Sequence, residues 1–134
     1  MGEAVLSVLD PEVAAVGGMT IGADPIAVAT AATAAGRGRQ LKAFSIRKDD
    51  KTHGTGGRLV GPVDPSMAVA VLEDTTTTGG AAVEAARYLI AQGFSVVQAI
   101  ALVDRSEGKA AESFAGLGIP HLALVAPSDL GVES

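Results

Sequence analysis

Between Met67 and Ala82 the chain reads MAVAVLEDTTTTGGAA, and no other stretch limits its fold as tightly. Six apolar residues, Met67 to Leu72, come without polar alternation and are rich in valine. That pattern predicts a short strand covered on both faces, as in the middle of a parallel sheet. Two carboxylates follow, Glu73 and Asp74, then Thr75, Thr76, Thr77 and Thr78, then Gly79 and Gly80, and only then does a helical pattern begin. A strand, a loop and a helix start in that order gather amides, hydroxyls and the positive end of a helix dipole at one spot. Such a spot suits an anion.

Carboxylates beside a phosphate cradle repel the phosphate unless they serve another part of the same ligand. A sugar phosphate meets that condition. Glu73 and Asp74 can accept hydrogen bonds from ribose hydroxyls, while Thr75 to Thr78 and the amides of Gly79 and Gly80 wrap a 5-phosphate, where missing side chains let the backbone come close. Other glycine-rich loops fit worse. No lysine follows Gly80, as a nucleotide-triphosphatase P-loop requires, and no G-x-G-x-x-G follows a strand. The bland alternative is a polar strand-to-helix turn whose threonines only cap the helix.

At 134 residues the chain is expected to form one domain, residues 1–134, with a substantial core. Hydrophobic residues make up 48% of it but aromatics only 3%, so the core is expected to consist of Ala, Val, Leu and Ile. There is no cysteine, which excludes disulfides and thiolate chemistry and agrees with a reducing cytosol. No apolar run approaches the roughly 18 residues that span a bilayer, and the N-terminus lacks a signal-peptide layout, so a soluble, cytoplasmic protein is expected. The net charge of −5 argues against nonspecific nucleic-acid binding. Arg37, Arg39, Lys42, Arg47, Lys48, Lys51 and Arg58 nevertheless crowd into 37–58 against only Asp49 and Asp50, giving +5 there and −10 elsewhere. A local basic segment in an acidic chain suits a small polyanion better than a duplex.

In chain order, Met1 to Leu9 reads as a helix end and Glu12 to Val16 as a short strand. Gly17 and Gly18 are expected to form a tight turn, with Asp24 as the N-cap of a helix that Pro25 opens and Gly36 stops in the left-handed conformation. Gln40 to Arg47 alternates like a strand and leads into residues 48–57, whose low apolar content and three glycines predict a mobile loop. Arg58 to Val63 returns as a second strand of the same arm. From Gly80, Ala82, Val83, Ala86, Leu89 and Ile90 recur at helical spacing, and Gln92-Gly93 closes that helix. Val96 to Val103 is a buried strand broken only by Gln98, Gly108 to Ala115 a short helix, and His121 to Val125 the last strand, with His121 structural. Alternating strands and helices predict an α/β fold, a Rossmann-like parallel sheet with helices on both faces and ligands beyond the carboxyl ends of the strands.

The acidic pair with its threonine-glycine loop resembles the phosphoribosyl pyrophosphate (PRPP) motif of the type I phosphoribosyltransferases, with Glu73 where aspartate is common. Arg47-Lys48-Asp49-Asp50-Lys51-Thr52-His53-Gly54 resembles the catalytic loop of the orotate phosphoribosyltransferases within that fold. By this resemblance Glu73 and Asp74 hold the ribose, Thr75 to Gly80 and Ala81 hold the 5-phosphate, and Arg47, Lys48, Lys51 and His53 contact PRPP, with Lys51 and His53 catalytic. It further implies that Thr77 and Arg105 bind orotate, that Mg²⁺ arrives with PRPP and not on protein ligands, and that a homodimer shares the 47–57 loop between subunits. The products are orotidine 5′-monophosphate and pyrophosphate, as in pyrimidine biosynthesis. Family members carry an N-terminal hood over the base, and none is expected before Val13. Two other readings of the same fold stay open, a PRPP-binding regulator or weakly active homologue without base specificity, and a transferase for another base.

Overall fold

The computed structural model of the chain describes residues 2–20, 22–47 and 58–125. Its elements are α1 (Gly2–Val8), β1 (Ala15–Met19), α2 (Asp24–Gly36), β2 (Lys42–Ile46), β3 (Leu59–Val60), β4 (Ala68–Thr76), α3 (Gly80–Ala91), β5 (Ser95–Asp104), α4 (Lys109–Ala115) and β6 (His121–Val125). The six strands form one sheet in the order β3-β2-β1-β4-β5-β6. All pairings are parallel except that of the short edge strand β3, which runs antiparallel to β2 through Ser45↔Val60 and Ile46↔Leu59. This is a Rossmann-like sheet, flanked by helices on both faces as the alternating pattern predicts.

Period-two alternation along the central strand splits the core in two. Val69 and Val71 of β4 face a cluster with Ala82, Ala85, Ala86 and Leu89 of α3 and Phe114 of α4. Ala70 and Leu72 face the opposite cluster, with Val5 of α1 and Ile26, Ala27 and Ala34 of α2. Both faces of β4 are therefore dry, which is why its first residues carry no polar alternation. Alanine on the helices keeps the layers close, and few aromatics are needed.

Several local expectations change. β1 begins at Ala15 instead of Glu12 and runs through Gly17 and Gly18, which form no turn. A Cβ on Gly17 would stand 2.2 Å from the Phe44 carbonyl oxygen, and one on Gly18 would stand 2.4 Å from that of Leu72. The two glycines let the flanking strands approach, a use that looks the same as a turn in sequence. Asp24 is already helical; Ala23 occupies the cap position and makes no side-chain cap bond. Gly36 ends α2 within the helix, and the left-handed residue is Gly38, at φ +77°. On α3, Ala82, Ala86 and Leu89 are buried as expected, but Ala85 joins them and Ile90 is exposed, so the stripe is centred slightly toward Ala85.

Gln98, the polar break in β5, has a specific partner set. Its Nε2 donates to Val8 O at 2.8 Å and its Oε1 accepts from Asp10 N at 3.0 Å, tying the end of α1 to the sheet. Residues 48–57, with the predicted mobile loop, lie outside the described residues. Among the described residues no helix is long and apolar enough to cross a membrane.

Candidate active site

The chain leaves β1 through α2 toward β2 on one side, and leaves β4 through α3 toward β5 on the other. The order of connection therefore reverses between β1 and β4, and a crevice opens beyond their carboxyl ends. A cleft of about 310 Å³ lies there, bounded by Thr20 and Gly22 after β1, Glu73 and Asp74 of β4, and Ala81 and Glu84 of α3.

β4 runs four residues beyond Leu72, so the acidic pair belongs to the strand and not to the loop after it. Strand geometry sends successive side chains to opposite faces, and the two carboxylates differ accordingly. Asp74 is exposed, and its Oδ1 accepts from Thr75 N at 2.7 Å. Glu73 is half-buried, and its Oε2 is enclosed with no hydrogen-bond partner among the described residues. Burial pushes the Glu73 carboxyl above its usual range, Asp74 and Asp104 add to that shift, and the Thr76 hydroxyl opposes it without reaching hydrogen-bond geometry. A buried carboxylate oxygen with no donor is an acceptor held ready for one.

From the end of β4 to the start of α3 the chain presents Thr75, Thr77, Thr78, Gly80 and Ala81 to solvent while Thr76 and Gly79 are buried. Thr78 Oγ1 accepts from Gly80 N at 3.1 Å, which pins the first residue of α3. Gly79 sits at φ +85°, where a side chain is strained, and α3 has no side-chain cap at its N-terminus. Thr78 holds the Gly80 amide, so an external acceptor at this helix start meets the amides after it.

Arg105 follows β5 directly. Its N–H donates to Thr76 O at 2.8 Å, continuing the β4–β5 ladder past Asp104, and its side chain is exposed. Arg47 lies at the same end of the sheet, after β2, exposed and backbone-paired with Arg58. The fold thus collects Glu73, Asp74, Thr75 to Ala81, Arg47 and Arg105 at one end of the sheet, whereas Lys48, Lys51 and His53 lie outside the described residues. Thr20, Gly22 and Glu84 also bound the cleft and were not singled out by sequence. The glycine ahead of Asp24 was the available signal, since a Cβ on Gly22 would stand 2.9 Å from Asp74 Oδ1. Among the described residues no group of three His, Cys, Asp or Glu side chains is placed to hold a metal ion.

An acidic strand end and a threonine-glycine turn at the switch point of a parallel sheet define a type I phosphoribosyltransferase. No family model matches the chain. It is 41% identical over 124 residues to the orotate phosphoribosyltransferase of Streptomyces coelicolor, covering 92% of this chain and 68% of that protein. It is 43% identical over 119 residues to that of Streptomyces avermitilis, covering 89% and 65%. Among solved structures, that of Mycobacterium tuberculosis orotate phosphoribosyltransferase in complex with PRPP superposes with a TM-score of 0.83 at 33% identity, covering 97% of this chain and 73% of that one. The chain belongs to the orotate phosphoribosyltransferase family, and it spans about two thirds of the length of the curated relatives it matches.

Proposed function

We propose that the protein transfers the phosphoribosyl group of PRPP to orotate, giving orotidine 5′-monophosphate and pyrophosphate. The bond from ribose C1 to the pyrophosphate oxygen breaks, a bond from C1 to an orotate ring nitrogen forms, and the proton which that nitrogen loses passes to the departing pyrophosphate or to solvent. Negative charge builds on the departing pyrophosphate and positive charge on the ribose, so positioning and electrostatics carry the rate. Glu73 and Asp74 accept the ribose hydroxyls; the ligand supplies the donor that Glu73 Oε2 lacks. Thr75 to Ala81 hold the 5-phosphate through hydroxyls and the amides that follow Gly80 at the start of α3. Arg105 holds the orotate carboxylate with its planar fork beside Thr77. Arg47, Lys48, Lys51 and His53 stabilise pyrophosphate, and Lys51 and His53 act on the leaving group.

Mg²⁺ fits as a companion of the pyrophosphate. Its oxygen-loving chemistry is met by phosphate oxygens and water without a dedicated protein cage. We further place the protein in the cytoplasm as a single domain that forms a homodimer sharing the 47–57 loop, on the strength of the family alone. The unpartnered Glu73 oxygen in the switch-point cleft supports the reading most directly. Orotate turnover with PRPP and Mg²⁺ tests it, beside PRPP binding measured alone. Binding without turnover would leave a PRPP-binding regulator, and turnover with another base would move the specificity.

A further inference from the structure

The turn that carries Arg105 is fastened to the turn that carries the phosphate loop, and one buried hydroxyl makes the fastening. Ser106 is only 3% exposed, between exposed Arg105 and Glu107. Its hydroxyl donates to Asp104 Oδ1 at 2.6 Å and accepts from Ala110 N at 3.0 Å, and its own amide donates to the same Asp104 oxygen at 2.8 Å. The residue before it is held from the other side, because Arg105 N–H donates to Thr76 O at 2.8 Å. Glu107 at φ 57° and Gly108 at φ 88° then turn the chain into α4. Glu107 is non-glycine in the left-handed region, so this turn is one its surroundings must hold in place.

Ala110 is the common floor. A Cβ on Gly79 would stand 2.9 Å from Ala110 Cα and 3.0 Å from its Cβ, so the phosphate loop rests directly on the first turn of α4. The Ser106 hydroxyl binds that same residue's amide, and through Asp104 it binds the end of β5. Phosphate loop, α4 and the arginine turn therefore form one unit with Ser106 at its joint.

We propose that Ser106 is a positioning residue for base recognition, setting where Arg105 stands relative to the phosphate loop. This rests on the assignment of Arg105 to the orotate carboxylate. Ser106 touches no ligand; it acts through the backbone of its neighbour. Without its hydroxyl the Ala110 amide loses its acceptor and Asp104 keeps only the Ser106 amide, so the arginine turn can shift while the Thr75–Gly80 loop, built on β4, keeps its place.

The test compares Ser106→Ala, Ser106→Thr and Arg105→Ala by steady-state kinetics with orotate and PRPP varied separately, with Tm measured alongside. Ser106→Ala is expected to raise the orotate KM about five- to tenfold and leave the PRPP KM within about twofold. Ser106→Thr, which keeps the hydroxyl, is expected to recover most of the loss. Equal movement of both KM values, or a lower Tm with neither KM changed, would mean a purely structural role and overturn the proposal. If Arg105→Ala raises the orotate KM and Ser106→Ala does not, the positioning role alone fails. An Arg105→Ala variant with unchanged orotate KM removes the base-reading assignment and this inference with it.

Discussion

Gly22 and Asp74 share one space: a Cβ on Gly22 would lie 2.9 Å from Asp74 Oδ1 and 3.4 Å from its Cγ. The turn after β1 is bare at this point, and the second acidic side chain of β4 occupies the room. Gly22→Ala would push against the far end of an exposed side chain, which can swing aside at little cost to folding. Stability is expected to change by less than about 0.5 kcal/mol. Asp74 would leave the place from which it is proposed to hold the ribose, and losing one charge-assisted hydrogen bond is expected to weaken PRPP binding about tenfold. Calorimetric titration with PRPP beside thermal unfolding separates the two, and a large Tm loss with unchanged affinity would contradict the assigned role of Asp74.

Glu73 should make the protein trade stability for binding. Its carboxyl titrates above the usual value of 4.5, chiefly because it is buried. As pH rises through that range the unfolded chain gives up its proton first, so ionising Glu73 costs the folded state stability that is present in acid. Glu73→Gln removes the cost. Its Tm is expected to match the wild type near pH 4 and to exceed it at pH 8, while PRPP affinity falls at least about tenfold. A variant less stable at pH 8 would show that the carboxylate has a partner in the folded protein.

Much of this arrangement is readable in the chain, and what is hidden has a common cause. The dry strand, the acidic pair, the threonine-glycine loop and the helix from Gly80 are local, and each has its own pattern. Gly17 and Gly18 are not: only Phe44 and Leu72, distant in sequence, distinguish close approach from a turn. Gln98 looks like a defect in β5 until Val8 and Asp10 arrive to bond it. The acidic pair looks like loop because carboxylates are rare in buried strands, yet β4 carries it as far as Thr76 by continued pairing with β5, Thr76 opposite Asp104. Gly22 was visible only as a residue before a helix, and its use depends on what Asp74 needs.

His121 should set an acid limit on stability. Its ring stacks on Phe114 with centroids 5.4 Å apart and planes inclined by 18°. Burial lowers its pKa from the usual 6.5, and Asp104 opposes that shift. The unfolded chain then takes up a proton before the folded one, so the stability His121 contributes is complete above about pH 6.5 and declines as pH falls through the lowered folded value. His121→Phe keeps a flat ring against Phe114 and removes the titration. The Tm difference, variant minus wild type, is expected to grow from pH 8 to pH 5, and a difference independent of pH would show that His121 protonates without penalty.

Arg58 should prove irreplaceable by lysine. Its Nε donates to Arg47 O at 2.8 Å, closing the pair in which Arg47 N donates to Arg58 O at 2.9 Å. Its guanidinium also pairs with Glu84 of α3, reaches Met19 Sδ at 3.9 Å and lies 5.2 Å from the centre of the Tyr88 ring. A planar fork serves these partners together, and an ammonium serves one or two of them. The ion pair itself is half exposed and worth little, so the loss should come from the stacked and forked contacts. Arg58→Lys is expected to cost about 1 kcal/mol in chemical denaturation, with most of it absent when Tyr88 is already leucine. Because Glu84 also bounds the cleft, the freed carboxylate would stand nearer an incoming polyanion, and PRPP affinity should fall more steeply at low salt than at high. Additive losses in the Arg58 and Tyr88 cycle would show that ring and guanidinium act independently, leaving the side-chain bond from Arg58 Nε to the Arg47 carbonyl as the contribution that matters.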